Sequence, residues 1–244
     1  MAEGHANGQP EHRLRLVTLP SIDRKALIYE QGNPDEAHRI VVYLLDGILQ
    51  AVYGFRPRSD IVRGTDLRVN EDGTLVVVND SANLAGYVLT QKYKVESALN
   101  PGGRYVAALL DEQMRLETPP TEPWAVLTAA FIAKWYGLGE DLGRFVPSAQ
   151  VRQAIPVSPE TKPRYIIPRA QLGKVTLVPS HGQSEAPKVT SEALQADGQT
   201  EFLLGIPQYE SIDYFMGSVA FTRDAGGRWT VRSLVVTKQW SLTD

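Results

Sequence analysis

Residues 121–156, TEPWAVLTAAFIAKWYGLGEDLGRFVPSAQVRQAIP, decide how this chain is read. Between Trp124 and Tyr136 the only charge is Lys134; the other positions are Trp, Ala, Val, Leu, Thr, Phe, Ile and Tyr. A helix that is apolar on nearly every side is one that neighbours must cover on nearly every side. A helix of this length spans about 20 Å, short of a bilayer crossing. Gly137 and Gly139 let the chain reverse, Glu140 and Asp141 suit the first turn of a second helix, and Pro147 stops it. One more short helical turn is expected over 148–154.

Working outward, residues 117–123 hold Pro119, Pro120 and Pro123, which forbid regular pairing and make a stiff linker. A domain border is placed there, with a C-terminal domain over 124–244. Downstream, 164–178, 200–223 and 228–240 read as long strands, the last two joined at Asp224-Ala225-Gly226-Gly227. Residues 181–198 are polar and aperiodic and read as a loop.

Upstream, residues 1–11 read as a disordered tail and 12–116 as an α+β N-terminal domain. Over 12–19, Leu14, Leu16 and Leu19 alternate with Arg13, Arg15 and Thr18, a half-buried strand, with 25–31 as its partner. Asn33-Pro34-Asp35-Glu36 carries a cap, a first-turn proline and acids at the positive end of a dipole. Ile40, Val41, Leu44, Leu45, Ile48, Leu49 and Val52 recur at helical spacing, so the pattern predicts a helix running to about Tyr53. Two runs flank Asp72-Gly73, a dipeptide suited to a tight hairpin turn. Residues 86–98 and 104–116 read as two more strands, the second equally compatible with a helix over 106–115.

Composition bounds function more than it assigns it. The chain has 244 residues, 43% hydrophobic and 22% charged, enough to bury a sizeable core. A formal charge of −3 argues against a nucleic-acid or anionic-membrane binder. With no cysteine there is no disulfide, thiolate metal site or cysteine nucleophile. His5, His12, His38 and His181 are scattered without metal-ligand spacing, so neither metal nor cofactor is expected. The N-terminus lacks a signal pattern and no apolar run reaches membrane length, which predicts a soluble chain with its compartment open. No Gly-x-Ser-x-Gly elbow, dinucleotide loop or calcium loop is present, and no catalytic residue is assigned.

The segment AAFIAKWYGLGEDLGRFVPSAQVRQAIP, with the terminal GGRWTVRSLVV, resembles conjugative-transfer proteins of the TcpC kind over residues 122–240. The resemblance implies a domain of the nuclear transport factor two superfamily: helices packed on a strongly curved, cone-like antiparallel sheet. The expected fold class is therefore α+β, with the cone in the C-terminal half and a smaller α+β region before it. Members of that family act as scaffolds joining subunits of a transfer machine. The implied function is a non-catalytic assembly subunit of a conjugation or secretion machine, with protein subunits as partners, self or other. A small-molecule binder or isomerase/hydratase-like enzyme using the cone pocket, or a phage or virion structural protein, are the alternatives.

A cone pocket would draw on Tyr136, Asp141, Tyr165, Tyr209, Asp213 and Tyr214, since a carboxyl in an apolar cavity can serve as acid or base. Each also has a structural role open to it, as core aromatic, helix cap or exposed acid. Interface candidates are Trp124, Trp135, Trp229 and Trp240, because tryptophans anchor interfaces, and the cluster Arg56, Arg58 and Arg63, which would suit an acidic partner.

Overall fold

The computed structural model describes residues 11–32, 38–55, 61–81, 84–97, 105–156, 171–176, 188–190, 199–207 and 211–243. The chain divides into two compact units, Met1–Ala82 with Val88–Arg115, and Asn83–Tyr87 with Leu116–Asp244.

The first unit is built of strands. β1 (Glu11–Leu19) and β2 (Arg24–Gly32) are joined through one 3-10 turn at Pro20–Ile22. β3 (His38–Asp46), β4 (Ile48–Ala51) and β5 (Ile61–Gly64) complete a five-stranded sheet of order β1-β2-β3-β4, with β5 also paired to β3. A second sheet runs β6 (Asp66–Val69), β7 (Leu75–Asn79), β8 (Tyr87–Ser97) and β9 (Tyr105–Leu116), in that order. Its edge also meets the first sheet's chain at Tyr53, whose carbonyl accepts from the Ala107 amide at 2.7 Å.

One apolar cluster joins the two sheets. Ala26 and Ile28 of β2 and Ile40, Val42 and Leu44 of β3 meet Leu67, Leu75, Val77, Tyr93 and Val95 from the second sheet. Side chains alternate across a strand, so the odd-numbered neighbours Tyr43 and Leu45 point away from that cluster. Phe55 sits edge-on to Tyr93 at 5.0 Å, and its carbonyl accepts from the Tyr93 hydroxyl, which satisfies the one polar atom that ring buries.

Here the structure corrects the sequence reading. The helix expected over 33–53 does not form in its described part, because residues 38–46 and 48–51 are β3 and β4; residues 33–37 lie outside the described residues. The run is apolar at both periods, so helical spacing could be read into it. The turn decides: Asp46 pairs with Ile48 around Gly47, whose φ of 74° is open to glycine at little cost. Among the described residues the first unit therefore holds no α-helix, and the smaller α+β region is instead a pair of facing antiparallel sheets.

The second unit holds α1 (Pro123–Trp135), α2 (Gly139–Phe145) and α3 (Ala149–Ala154). α1 buries Ala125–Ala133 almost without interruption, and Phe131 sits at its centre, 5.3 Å from Trp135, 6.3 Å from Phe202 and 5.9 Å from Phe215. Those last two rings come from β13 (Gln199–Pro207) and β14 (Ser211–Arg223), which with β10 (Gln171–Leu172) and β15 (Trp229–Thr243) form a sheet of order β10-β13-β14-β15. β11 (Lys174–Thr176) and β12 (Lys188–Thr190) make a separate two-stranded ribbon, so the expected loop over 181–198 contains a paired strand. The long strand expected over 164–178 is, in its described part, the two short strands β10 and β11.

The cone-like fold is overturned. Among the described residues strands, not helices, dominate, α1, α2 and α3 are short, and the antiparallel sheets are not strongly curled. β14 and β15 do shift register between Met216 and Gly217 and between Ala220 and Phe221, but these irregularities do not bend the sheet into a cone.

Candidate functional site

The pocket candidates are held in separate local pairs. Asp141, in the first turn of α2, accepts a hydrogen bond from the Tyr87 hydroxyl at 3.1 Å, and Arg144 lies one turn on, 3.5 Å from its other oxygen. Arg144 also pairs with Glu140. Burial, and then the Asp141 charge, push the Tyr87 phenol well above its ordinary value, so at neutral pH Tyr87 is a proton donor that orients Asp141. Asp213 accepts from the Ser241 hydroxyl on the neighbouring strand. Tyr214 is buried and stacked on Trp240 at 5.4 Å, and burial raises its phenol. Tyr136 caps the C-terminal end of α1, its amide donating to the Ile132 carbonyl at 2.9 Å. Tyr165 and Tyr209 lie outside the described residues.

The tryptophans divide by burial. Trp135 is buried, and its indole nitrogen donates to the Pro156 carbonyl at 3.3 Å, a core role. Trp124, Trp229 and Trp240 are half-buried. Arg223 lies 4.3 Å over the Trp229 ring and Lys238 5.3 Å over Trp240, so both outer rings are already covered by cations from their own sheet. Arg63 is on β5, directly opposite Arg39 of β3. Arg56 and Arg58 lie outside the described residues. Among those residues no group of three or more His, Asp or Glu could hold a metal ion, and no helix is long and apolar enough to cross a membrane.

The most conspicuous surface is one the sequence reading did not single out. It is the face of the five-stranded sheet turned away from the first unit's core. Strand register builds it in rows: Leu14 opposite Tyr29 and Val41, Leu16 opposite Leu27, Tyr43 and Ala51, then Lys25 opposite Leu45 and Leu49. Leu14 is 65% exposed, Leu16 60%, Leu49 55% and Leu45 39%, with Leu27, Tyr29 and Tyr43 half-buried beside them. Single exposed leucines are ordinary, but four on one sheet face, joined by aromatic rings, form a patch. His12 stacks on Tyr29 and its Nδ1 lies 2.7 Å from the phenol oxygen, fixing that ring on the surface.

Of the three leucines that alternate along β1, only Leu19 enters the core. Leu14 and Leu16 face out, while Arg15 turns to the core side, where it meets Glu30 and the Leu67 carbonyl. The signal that could have found the face is the register itself: once β3 is a strand, Tyr43 and Leu45 fall beside Leu16 and Leu27.

No family model, curated protein or solved structure matches the chain.

Proposed function

We propose that this protein is a non-catalytic scaffold or assembly subunit that works by burying the outer face of its five-stranded sheet against a protein partner. One observation carries the reading: Leu14, Leu16, Leu45 and Leu49 stand exposed on a single sheet face with Leu27, Tyr29 and Tyr43 between them. Holding that much apolar surface in water is unfavourable by about 25 cal/mol for each Å² left uncovered, and covering it drives association. The state of the acids and tyrosines favours the same reading over catalysis, since Asp141, Asp213 and Tyr214 are each engaged by a neighbour. A place in a conjugation or secretion machine remains the setting that the sequence resemblance suggests.

The test is the Leu14→Thr/Leu16→Thr variant, which keeps strand-compatible residues at two exposed positions. The tagged full chain, run on native gels from host extract, should migrate in a larger assembly, and the variant should run as the free chain with its thermal unfolding unchanged. A wild-type chain that is already free in the extract would overturn the reading.

A further inference from the structure

We propose that β1 pairs along its free edge with β1 of a second copy, antiparallel and centred on Leu16, so that two five-stranded sheets become one. The proposal goes beyond the assembly reading above and does not depend on it. It uses the backbone edge of the sheet and leaves the leucine face open.

β1 lies at the end of its sheet, hydrogen-bonded to β2 on one side, and its nine residues pair with β2 from Glu11 to Leu19 without a register shift. A long, regular edge is a template for another strand, because a row of N–H and C=O groups points outward from it. The other sheet edges among the described residues are short, broken or occupied. β4, β5 and β6 have four residues each and β10 has two. β15 shifts register twice against β14. The free side of β9 receives Tyr53, whose amide donates to the Tyr105 carbonyl at 3.1 Å and whose carbonyl accepts from the Ala107 amide. Charged side chains often guard an edge, but the arginines of β1 have partners on their own sheet: Arg13 pairs with Glu11 at 2.7 Å and Arg15 with Glu30 at 2.5 Å. β1 holds neither lysine nor proline.

The sequence of β1 selects both the occupant and the register. About a twofold axis, an antiparallel pair sets one residue opposite its own copy and the rest opposite one another in turn. Centred on Arg13 or Arg15, the axis puts an arginine against itself; centred on Leu14, it puts Arg13 against Arg15. Like charges directly opposite destabilise a strand pair. Centred on Leu16, the copies overlap over residues 13–19, with Arg13 opposite Leu19, Arg15 opposite Val17 and Leu14 opposite Thr18. A centre at Val17 also separates the arginines but overlaps residues 15–19 only. The Leu16 centre has a second merit. The row Ala51, Tyr43, Leu27, Leu16 meets its own copy at Leu16, and one apolar row then runs across both sheets. Leu16, 60% exposed in the single chain, gains a cross-strand leucine.

The experiment follows the full chain by light scattering behind size exclusion. One strand pair buries less than a stable complex does, so a Kd on the order of 10 µM is expected. At about 100 µM the protein should have twice the chain mass, and at about 1 µM the mass of one chain. The chain has no cysteine, so introduced ones report the register. Under mild oxidation Leu16→Cys should link to its own copy. Leu14→Cys alone and Thr18→Cys alone should not, because each would lie about 13 Å along the strand from its copy, past the roughly 7 Å reach of a disulfide. A mixture of those two variants should link one to the other. All three positions are exposed, and thermal unfolding of the reduced variants should match the wild type. A wild type that stays single at the higher concentration overturns the inference and leaves the assembly reading standing. A dimer in which Leu14→Cys links to itself as readily as Leu16→Cys overturns it in favour of stacked leucine faces. A dimer in which none of these cysteines links overturns it in favour of contact elsewhere on the chain.

Discussion

The guanidinium of Arg15 on β1 lies 2.5 Å from the carboxylate of Glu30 on β2, and the same nitrogen donates to the Leu67 carbonyl at 2.8 Å. Glu30's side chain is 6% exposed and Arg15's 42%, so the acid is the buried partner and the base reaches water. Removing Arg15 would strand a buried carboxylate and free a carbonyl of β6. We expect Arg15→Met to cost about 2–4 kcal/mol, the lower side of the range for breaking a buried pair because one end is solvated. Glu30→Gln keeps an acceptor for Arg15 and should cost about 1 kcal/mol. Urea unfolding of the two variants measures this; equal losses would show that the pair acts as an ordinary surface bridge.

Gly47 and Gly86 share a positive φ, 74° and 88°, but not surroundings. A Cβ at Gly47 meets nothing within 4 Å, whereas at Gly86 it would fall 1.8 Å from the Thr118 carbonyl oxygen. Gly86 is pinned there because its own carbonyl accepts from the Glu117 and Thr118 amides, at 3.0 and 3.1 Å. Gly47→Ala should therefore cost only the left-handed strain, about 1–2 kcal/mol. Gly86→Ala adds a backbone clash and should exceed about 3 kcal/mol. Thermal unfolding of the pair decides, and a smaller loss for Gly86→Ala would contradict the close approach.

Gly47 also shows what the sequence could and could not tell. Asp46-Gly47 carries the same hairpin signal as Asp72-Gly73, and it lies inside a run whose apolar residues also fit a helix. Ile40, Val41 and Val42 are β-branched, a further pointer to strand, whereas Asn33-Pro34-Asp35-Glu36 carries the signals of a helix start. The nearly all-apolar α1 is legible in the sequence because so few of its positions are polar that no choice of face has to be made. The sheet face was not legible, because whether Leu14 points in or out depends on which side of β1 the second sheet covers. That is a tertiary fact: Arg15 turns inward only because Glu30 and the Leu67 carbonyl await it there. The curved sheet was inferred from a resemblance in a helix–turn segment, and such a segment does not dictate how strands elsewhere coil.

Asp224 ties the turn between β14 and β15. Its carboxylate accepts from the amides of Gly226 and Arg228, both at 2.9 Å, and from Arg228 Nε at 2.8 Å. The Arg228 amide and side-chain bonds hold the carboxyl below its ordinary value of 3.8, with the Arg228 charge adding to them. The unfolded chain keeps the ordinary value, so the folded turn gains stability that is full above it and is lost as pH falls through the lowered one. The Gly226 and Arg228 amides should lose exchange protection below about pH 4. In Asp224→Asn, which cannot titrate, this acid loss should vanish; protection that falls equally in both proteins would place its cause elsewhere.

Tyr87 and Asp141 give the alkaline counterpart. Tyr87 is buried and its hydroxyl donates to the Asp141 carboxylate at 3.1 Å. Desolvation first, then the Asp141 charge, raise the phenol above its ordinary 10.0. Above pH 10 the unfolded chain sheds this proton while the folded chain keeps it, so the native state binds more protons and stability falls as pH rises. Tyr87→Phe removes the titrating group and should flatten that part of the curve. At neutral pH the variant should lose about 1–2 kcal/mol, the worth of a hydrogen bond to a charged acceptor that Arg144 and water still serve in part. The chain has 10 tyrosines, so the readout is the difference between wild type and variant in urea midpoints on either side of pH 10. Parallel curves for the two proteins would mean that Tyr87 titrates as a solvated phenol, and the buried Tyr87–Asp141 bond would have to be abandoned.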